Sequence, residues 1–384
     1  MTIRTAKNSA KGRGLGDLNA LGFAKLPSET RVVVAMSGGV DSSVTAALLH
    51  EQGFDVIGIT LQLYDHGVAV QTKGACCAGA DVHDARRVAA RIGIPHYVLD
   101  YEKRFKERVI DDFADSYARG ETPIPCIKCN QNIKFNDLLD MARDLDAGAL
   151  VTGHYVQRIN GRSGPELHRG YDNLKDQSYF LFATTKKQLD FLHFPLGGMA
   201  KDETRAHAKR LGVPIARKPE SQDICFVPSG SYSNLINQLR PEAKKPGNIV
   251  DVLGNTLGTH QGIIGFTVGQ RRGLGISTGE PQYVLKIRLD SNEVVIGPKS
   301  ALLKNSFMVD EINWLGEGDK PANGMNVEVK IRSASEPVDA KIVELDTGGI
   351  EVSPKDPISS VAPGQACVFY QGRRVLGGGW ISRG

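Results

Sequence analysis

The chain has 384 residues, of which 41% are hydrophobic and 23% charged, the profile of a soluble globular protein large enough for two or three domains. Net charge is +4, which excludes a large single-sign field, and no apolar run approaches the roughly 18 residues that a membrane-spanning helix needs. Local basic clusters (Lys103, Arg104, Lys106 and Arg108; Arg217 and Lys218; Lys244 and Lys245; Arg271 and Arg272) permit a nucleic-acid partner without demonstrating one.

Residues 1–27 are rich in Gly, Ala and Lys with weak periodicity, and we expect a flexible tail. The shortage of acids and the presence of Arg4 and Arg13 leave an organellar presequence as the other reading. The next run, Arg31 to Met36, "RVVVAM", is continuously apolar and predicts a strand buried on both faces. "SGGVDSS" follows, and "VTAALLHEQG" reads as a helix stopped by Gly53. The spacing then predicts a strand over Asp55–Leu61, an amphipathic helix over Ala80–Gly93, a strand in "PHYVLD", a helix in "EKRFKERVIDDFADSYARG", a helix near Asn130–Leu145 and a strand in "GALVTGHY". Strand and helix alternate, which means an α/β domain with a parallel sheet and helices on both faces. After about residue 230 the chain turns glycine-rich, and from Gln282 short β-branched runs alternate with turn signals. We expect a tail at 1–27, the parallel-sheet α/β domain at 28–232, a small connecting domain at 233–290 and a C-terminal β-barrel at 291–384.

"SGGVDSS", placed between a buried strand and a helix, forms an anion site. Gly38 and Gly39 let the backbone curl close, so that amide N–H groups and the helix N-terminus face a phosphate. Ser37, Ser42 and Ser43 add hydroxyls, and Asp41 beside a phosphate makes sense mainly as a Mg²⁺ ligand. The string resembles the loop of the pyrophosphate-loop ATPases, which split ATP to AMP and pyrophosphate; no Gly-Lys-Ser/Thr follows, so it is not the other phosphate loop. The nucleotide-binding set then runs through Ala35, Met36, Ser37, Gly38, Gly39, Val40, Asp41 and Ser42. Leu61 and Gly153 reach the same crevice from neighbouring strand ends.

The six cysteines and the lack of a recognisable secretory signal fit a reducing, cytoplasmic setting. There a close pair such as Cys126 and Cys129 is more often catalytic or metal-binding than a staple. A zinc half-site, a redox pair, a sulfur-transfer centre and an iron–sulfur ligand set are all open from spacing alone. Cys76 and Cys77 are adjacent, which is poor geometry for sharing a tetrahedral zinc.

Taken together, "AMSGGVDSS", "CN…IKF" from Cys129, "TGHY" from Thr152, "KDQSYFL" from Lys175, "SQDICF" from Ser221 and "GFTVGQRRGLG" from Gly265 resemble the tRNA-specific 2-thiouridylases. The match spans nearly the whole chain from Arg31. The resemblance implies that ATP adenylates the C2 oxygen of the wobble uridine in tRNA. Cys225 then carries a persulfide received from a sulfur-relay protein. Cys129 attacks that persulfide, sulfide passes to C2, and a Cys129–Cys225 disulfide remains. A low-pKa cysteine near a helix start suits that attack, and Lys128 and Lys134 lie nearby. Family members often carry Asp where this chain has Cys126, so the acid's role is vacant or taken by a thiolate. The departure also opens an alternative, a [4Fe–4S] cluster on Cys126, Cys129 and Cys225 with one iron left open. Carried over residue by residue, Lys175, Asp176 and Gln177 touch tRNA, His154 lies near the base, and Arg332 and Gln365 are tRNA-contacting barrel positions. Arg271 and Arg272 suit phosphates, and the uridine must leave its stack to react. Two other readings stand beside this one: a pyrophosphate-loop synthetase acting on a small molecule, and a non-catalytic tRNA-binding or sulfur-carrier protein.

Overall fold

The computed structural model describes residues 18–64, 77–220, 224–227, 232–277, 279–346 and 348–383. The tail before residue 18, Cys76, and Ser221 to Asp223 of "SQDICF" lie outside the described residues. Among those described, no helix is long and apolar enough to cross a membrane.

β1 (Arg31–Ala35) lies between β2 (Asp55–Gln62) and β4 (Ala149–Val151), and β3 (His96–Asp100) and β7 (Leu192–His193) complete a sheet of order β3-β2-β1-β4-β7, parallel throughout. The apolar run of β1 has a simple cause. Val32 and Val34 pack into one core with α1 (Val40–Glu51) and α2 (Cys77–Ile92), while Val33 faces the opposite core with Ile59, Phe135 and Leu150. All three valines are fully buried, so neither face of the strand tolerates polarity.

After β3 the chain forms α3 (Glu102–Phe105), a π-helical stretch (Lys106–Ile110) and α4 (Asp111–Ala118). The cysteine segment then opens a helix of its own. α5 (Pro125–Cys129) runs through a second π-helical stretch (Asn130–Asp137) into α6 (Leu138–Asp144). This helix starts earlier than the sequence suggests, so Cys126 and Cys129 are inside it. Pro125 occupies its first turn, where the missing N–H is no loss. α7 (Lys186–Phe191), α8 (Lys201–Arg210) and α9 (Tyr232–Leu239) follow.

The central domain is a sheet of order β10-β11-β8-β9, built from β8 (Gly247–Val250), β9 (Thr256–His260), β10 (Tyr283–Arg288) and β11 (Glu293–Gly297). β11 reaches past the expected boundary at residue 290. A short pair, β12 (Leu303–Lys304) and β17 (Ile358–Ser359), flanks the barrel. The barrel itself contains β13 (Phe307–Trp314), β14 (Met325–Lys330), β15 (Val338–Glu344), β16 (Ile350–Pro354), β18 (Ala366–Gln371) and β19 (Arg374–Ile381), and the β13–β19 pairing closes it. The sequence reading missed a hairpin of the first domain, β5 (Val156–Gly161) and β6 (Gly164–Arg169), which joins the barrel sheet through the Arg374–His168 register.

Candidate active site

The loop after β1 is held tight by its own side chains. Ser42 Oγ accepts from the Ser37 amide at 3.1 Å and donates to the Gly39 carbonyl at 3.2 Å, and Ser43 Oγ donates to the same carbonyl at 2.8 Å. Gly38 has φ +74, and a Cβ there would strike the backbone of Asp81. Gly153 leans on the loop from the end of β4: its Cβ would lie 2.8 Å from the Ser42 amide nitrogen. No side chain caps the first turn of α1, so its leading N–H groups keep their capacity for an anion. Met36 lies beneath the loop, buried, with its carbonyl accepting from Thr60 Oγ1 at 2.7 Å, and Leu61 packs at the edge of two cores. The expected nucleotide set is thus brought together around a cradle that side chains would fill.

Asp41 departs from the simple picture of a metal ligand. Both its carboxylate oxygens accept from Lys201 Nζ, at 2.7 and 2.8 Å, and Oδ1 also accepts from the Tyr155 hydroxyl at 2.8 Å. Lys201 is buried and lies 3.2 Å from Glu220 as well. Glu220 also accepts from Lys175 at 2.7 Å. That bond to Lys175, aided by Lys201, holds the Glu220 carboxyl down at about 2. Lys218 meets the Gly38 carbonyl at 3.0 Å and Asp81 and Asp84 at 2.6 Å each. Nothing in the local sequence marks Lys201 or Glu220 for this network, and neither the Arg217–Lys218 cluster nor "TGHY" assigns Lys218 or Tyr155 to it. A lysine in the charged run "KDETRAHAKR" carries no mark that it, among the charged residues there, is the one buried.

Cys225 folds back onto the α5 helix. Its neighbours Ile224, Phe226 and Val227 pack in one apolar cluster with Cys129, Phe105, Phe113 and Ile133, and Phe226 meets the rings of Phe105 and Phe113 edge-on. Burial pushes the Cys225 thiol up to about 12, helped by the nearby Cys129 and Cys126. Part of the Cys225 residue nonetheless reaches solvent, so the surrounding apolar side chains raise the thiol while leaving it accessible. The expectation of a low-pKa thiolate is corrected: Cys129 is buried at the far end of α5, and burial raises its thiol despite the positive charge of Lys134. The charge of Lys134 is felt by Cys129, Cys225 and His154 alike, so these four share one locality. Cys126, Cys129, Cys225 and Cys367 carry no disulfide, and Cys126 is exposed. Among the described residues no three His, Cys, Asp or Glu side chains are grouped to hold a metal ion.

His154 packs edge-on against Phe135 and Phe194, and its Nδ1 lies 2.8 Å from Thr152 Oγ1. Burial, with Lys134, lowers its pKa to about 3, so the ring is neutral near neutrality. The expected tRNA set divides. Asp176 and Gln177 turn inward: Asp176, 2% exposed, accepts from Arg169, the Gly170 and Ser178 amides and Ser178 Oγ, and Gln177 Oε1 accepts from the Tyr155 amide. Both help to build the turn. Gln365 donates to the Thr122 carbonyl at 2.7 Å. Lys175 is half-buried in its ion pair with Glu220, whereas Arg271 and Arg272 on the central domain and Arg332 on the barrel are exposed.

Three family models match the chain in order: the tRNA methyl transferase HUP domain over residues 30–229, the tRNA methyl transferase PRC-barrel domain over 233–298 and the aminomethyltransferase beta-barrel domain over 304–381. Curated relatives named tRNA-specific 2-thiouridylase MnmA include one from Rhodospirillum centenum, 60% identical over 374 residues and covering 95% of either chain. One from Rickettsia bellii is 58% identical over 355 residues, covering 92% of this chain and 97% of its own. A solved 4-thiouridine synthetase–RNA complex with bound ATP aligns with 56% of this chain and 50% of its own at 18% identity and TM-score 0.34, too loose to place any residue. The near full-length identity decides the matter: this chain belongs to the tRNA-specific 2-thiouridylase family.

Proposed function

We propose that this chain uses ATP to replace the C2 oxygen of the wobble uridine in tRNA with sulfur, by way of a persulfide on Cys225. The observation that supports the route is that Ile224, Phe226 and Val227, which flank Cys225, pack in one cluster with Cys129 from a distant part of the sequence, with Cys225 near enough to feel Cys129. The C2 oxygen attacks the α-phosphorus of ATP and pyrophosphate leaves, so the oxygen becomes part of an AMP leaving group. Cys129 thiolate attacks the inner, Cys225-bound sulfur of the persulfide; a Cys129–Cys225 disulfide forms and the terminal sulfur departs as hydrosulfide. Hydrosulfide adds to C2, the C2–O bond breaks and AMP leaves. The oxidising equivalent stays in the disulfide, which an external thiol must reduce before the next cycle.

The residues at the loop fit the nucleotide. The self-bonded "SGGVDSS" loop, the open turn of α1 and the space kept by Gly153 suit the triphosphate. Mg²⁺ bound with ATP would supply charge neutralisation on the phosphates, and Asp41, whose carboxylate now meets Lys201, is the residue that would hold it. Lys201 then remains as a cation beside the phosphates. His154, neutral and walled by Phe135 and Phe194, offers a hydrogen bond without charge to a flipped base. The three thiols do not group as a metal site, so no step is routed through a [4Fe–4S] cluster. Sulfur arrives from a persulfide-donating protein, and the need to reduce the disulfide suits a cytoplasmic setting.

The test is mass spectrometry of tRNA nucleosides after incubation with ATP, Mg²⁺ and a persulfide source. Wild type should give 2-thiouridine, and Cys225→Ala or Cys129→Ala should reduce it to background while filter binding of tRNA is unchanged. Loss of tRNA binding in Cys225→Ala would make that residue structural. Cys126→Asp should keep activity, whereas its inactivity together with iron in the wild-type protein would restore the cluster.

A further inference from the structure

The α5 helix is held at both ends by the barrel. At its entrance, the Thr122 amide donates to the Pro363 carbonyl at 2.8 Å and the Thr122 carbonyl accepts from Gln365 Nε2 at 2.7 Å, so both backbone polar groups of Thr122 belong to the loop before β18. Between those two residues, Gly364 has φ +82, and a Cβ there would lie 2.8 Å from Glu121 Cβ and 3.1 Å from the Thr122 nitrogen. The loop is itself tied to the end of β19: the Gly364 amide donates to the Ile381 carbonyl at 2.9 Å, and the Ile381 amide donates to the Gln365 carbonyl at 2.8 Å. At the other end, the ammonium of Lys128, which sits between the two cysteines, lies 4.6 Å over the ring of Trp380 on β19 and 3.7 Å from Glu311 on β13. Glu311 has φ +51, at the irregularity where the β13–β19 register shifts.

The chain between clamp and thiol is stiff. Pro123 and Pro125 have fixed φ, and Ile124, held between them, is extended with φ −120 and ψ 87. Cys126 follows Pro125 directly. A displacement at Thr122 therefore reaches the cysteine helix with little slack to absorb it.

We propose that the barrel is a positioning device for the thiols of α5, with Gly364 and Gln365 as positioning residues acting through Thr122 and the Pro-Ile-Pro lead-in. This rests on the reading of Cys129 as the attacking thiol, and it gives Gln365 a task other than contacting tRNA. The attack on a persulfide needs sulfurs in line within a narrow distance; Cys129 is buried, and burial disfavours its thiolate, so the placement of its sulfur has to make the attack efficient.

The full chain, without ATP or tRNA, is treated with N-ethylmaleimide, and each cysteine is followed by peptide mass spectrometry. Trypsin cuts after Arg119, Lys128 and Lys134, which puts Cys126 and Cys129 in separate peptides. Cys129 is buried and reacts through local opening, while Cys367, fully buried on β18, reports the barrel. Gln365→Ala and Gly364→Ala should raise the Cys129 rate several-fold relative to Cys367. In turnover, Gln365→Ala should lower kcat with KM for tRNA held. An unchanged Cys129-to-Cys367 ratio in both variants overturns the proposal. So does a raised KM for tRNA with unaltered thiol rates, which would return Gln365 to tRNA contact. Thiolation that survives Cys129→Ala would remove the reading beneath it while leaving the alkylation result valid.

Discussion

Lys201 concentrates the electrostatics of the nucleotide loop in one ammonium. It touches both oxygens of Asp41 and one of Glu220, and it is buried while its partners keep about a third and a quarter of their side chains exposed. Truncating one partner of a buried pair leaves an uncompensated charge and costs about 3–5 kcal/mol; the partial exposure of Asp41 and Glu220 brings the expected loss for Lys201→Met to about 2 kcal/mol. The same substitution frees Asp41 while removing a cation from the phosphates, so KM for ATP should rise even where the folded protein is saturating. Lys201→Arg keeps the charge and should recover most of the stability and part of the ATP affinity. Thermal unfolding and pyrophosphate release measured against ATP concentration check both. A variant with wild-type ATP dependence and lowered melting temperature would make Lys201 a purely structural ion.

At the scale of elements, what the sequence revealed depended on whether local pattern and final environment agreed. β1 was legible because a strand covered on both faces has no polar positions, and Val32 to Val34 show that directly. The cysteine helix was placed too late because Pro-Cys-Ile-Lys-Cys has no apolar period; its stability comes from Ile127 and Cys129 packing into two different cores. The thiol pKa was misjudged for the same reason, since a helix start suggests a depressed pKa and only tertiary burial reverses the sign. The β5–β6 hairpin was missed because its partner strand, β19, lies far along the chain. The loop contact from β4 could be anticipated from "TGHY", but its closeness could not. Gly153→Ala tests it: a Cβ 2.8 Å from Ser42 N must push the β4 loop off the nucleotide loop. A shift approaching 1 Å at such a site costs on the order of 10²-fold in kcat/KM for ATP, with far-ultraviolet circular dichroism and tRNA binding unchanged.

For the whole molecule, the first domain and the barrel behave as one body. β6 pairs with β19, and the largest core mixes the two: Val33, Leu150 and Leu167 from the first share a cluster with Val368, Tyr370 and Val375 from the barrel. Tyr179 donates to the Ala366 carbonyl at 3.0 Å, and Ser178 Oγ lies 3.1 Å from the Tyr370 hydroxyl, so polar groups are satisfied across the same junction. The central domain differs, since Ile249, Ile263, Phe266, Val284 and Val294 form a core of their own. Elements that share a core unfold together. Calorimetry of the full chain should therefore show one transition covering the first domain and barrel, with any separable event belonging to the central sheet. Ending the chain at residue 303 should not yield a folded adenylation domain. It strips the barrel from Leu167, Tyr179 and Phe182 and leaves β6 as an unpaired edge, a combination that favours aggregation. A soluble 1–303 fragment with a cooperative melt would show that the junction is an interface between independent domains. The clamp on Thr122 would then act across a hinge rather than within a single rigid body.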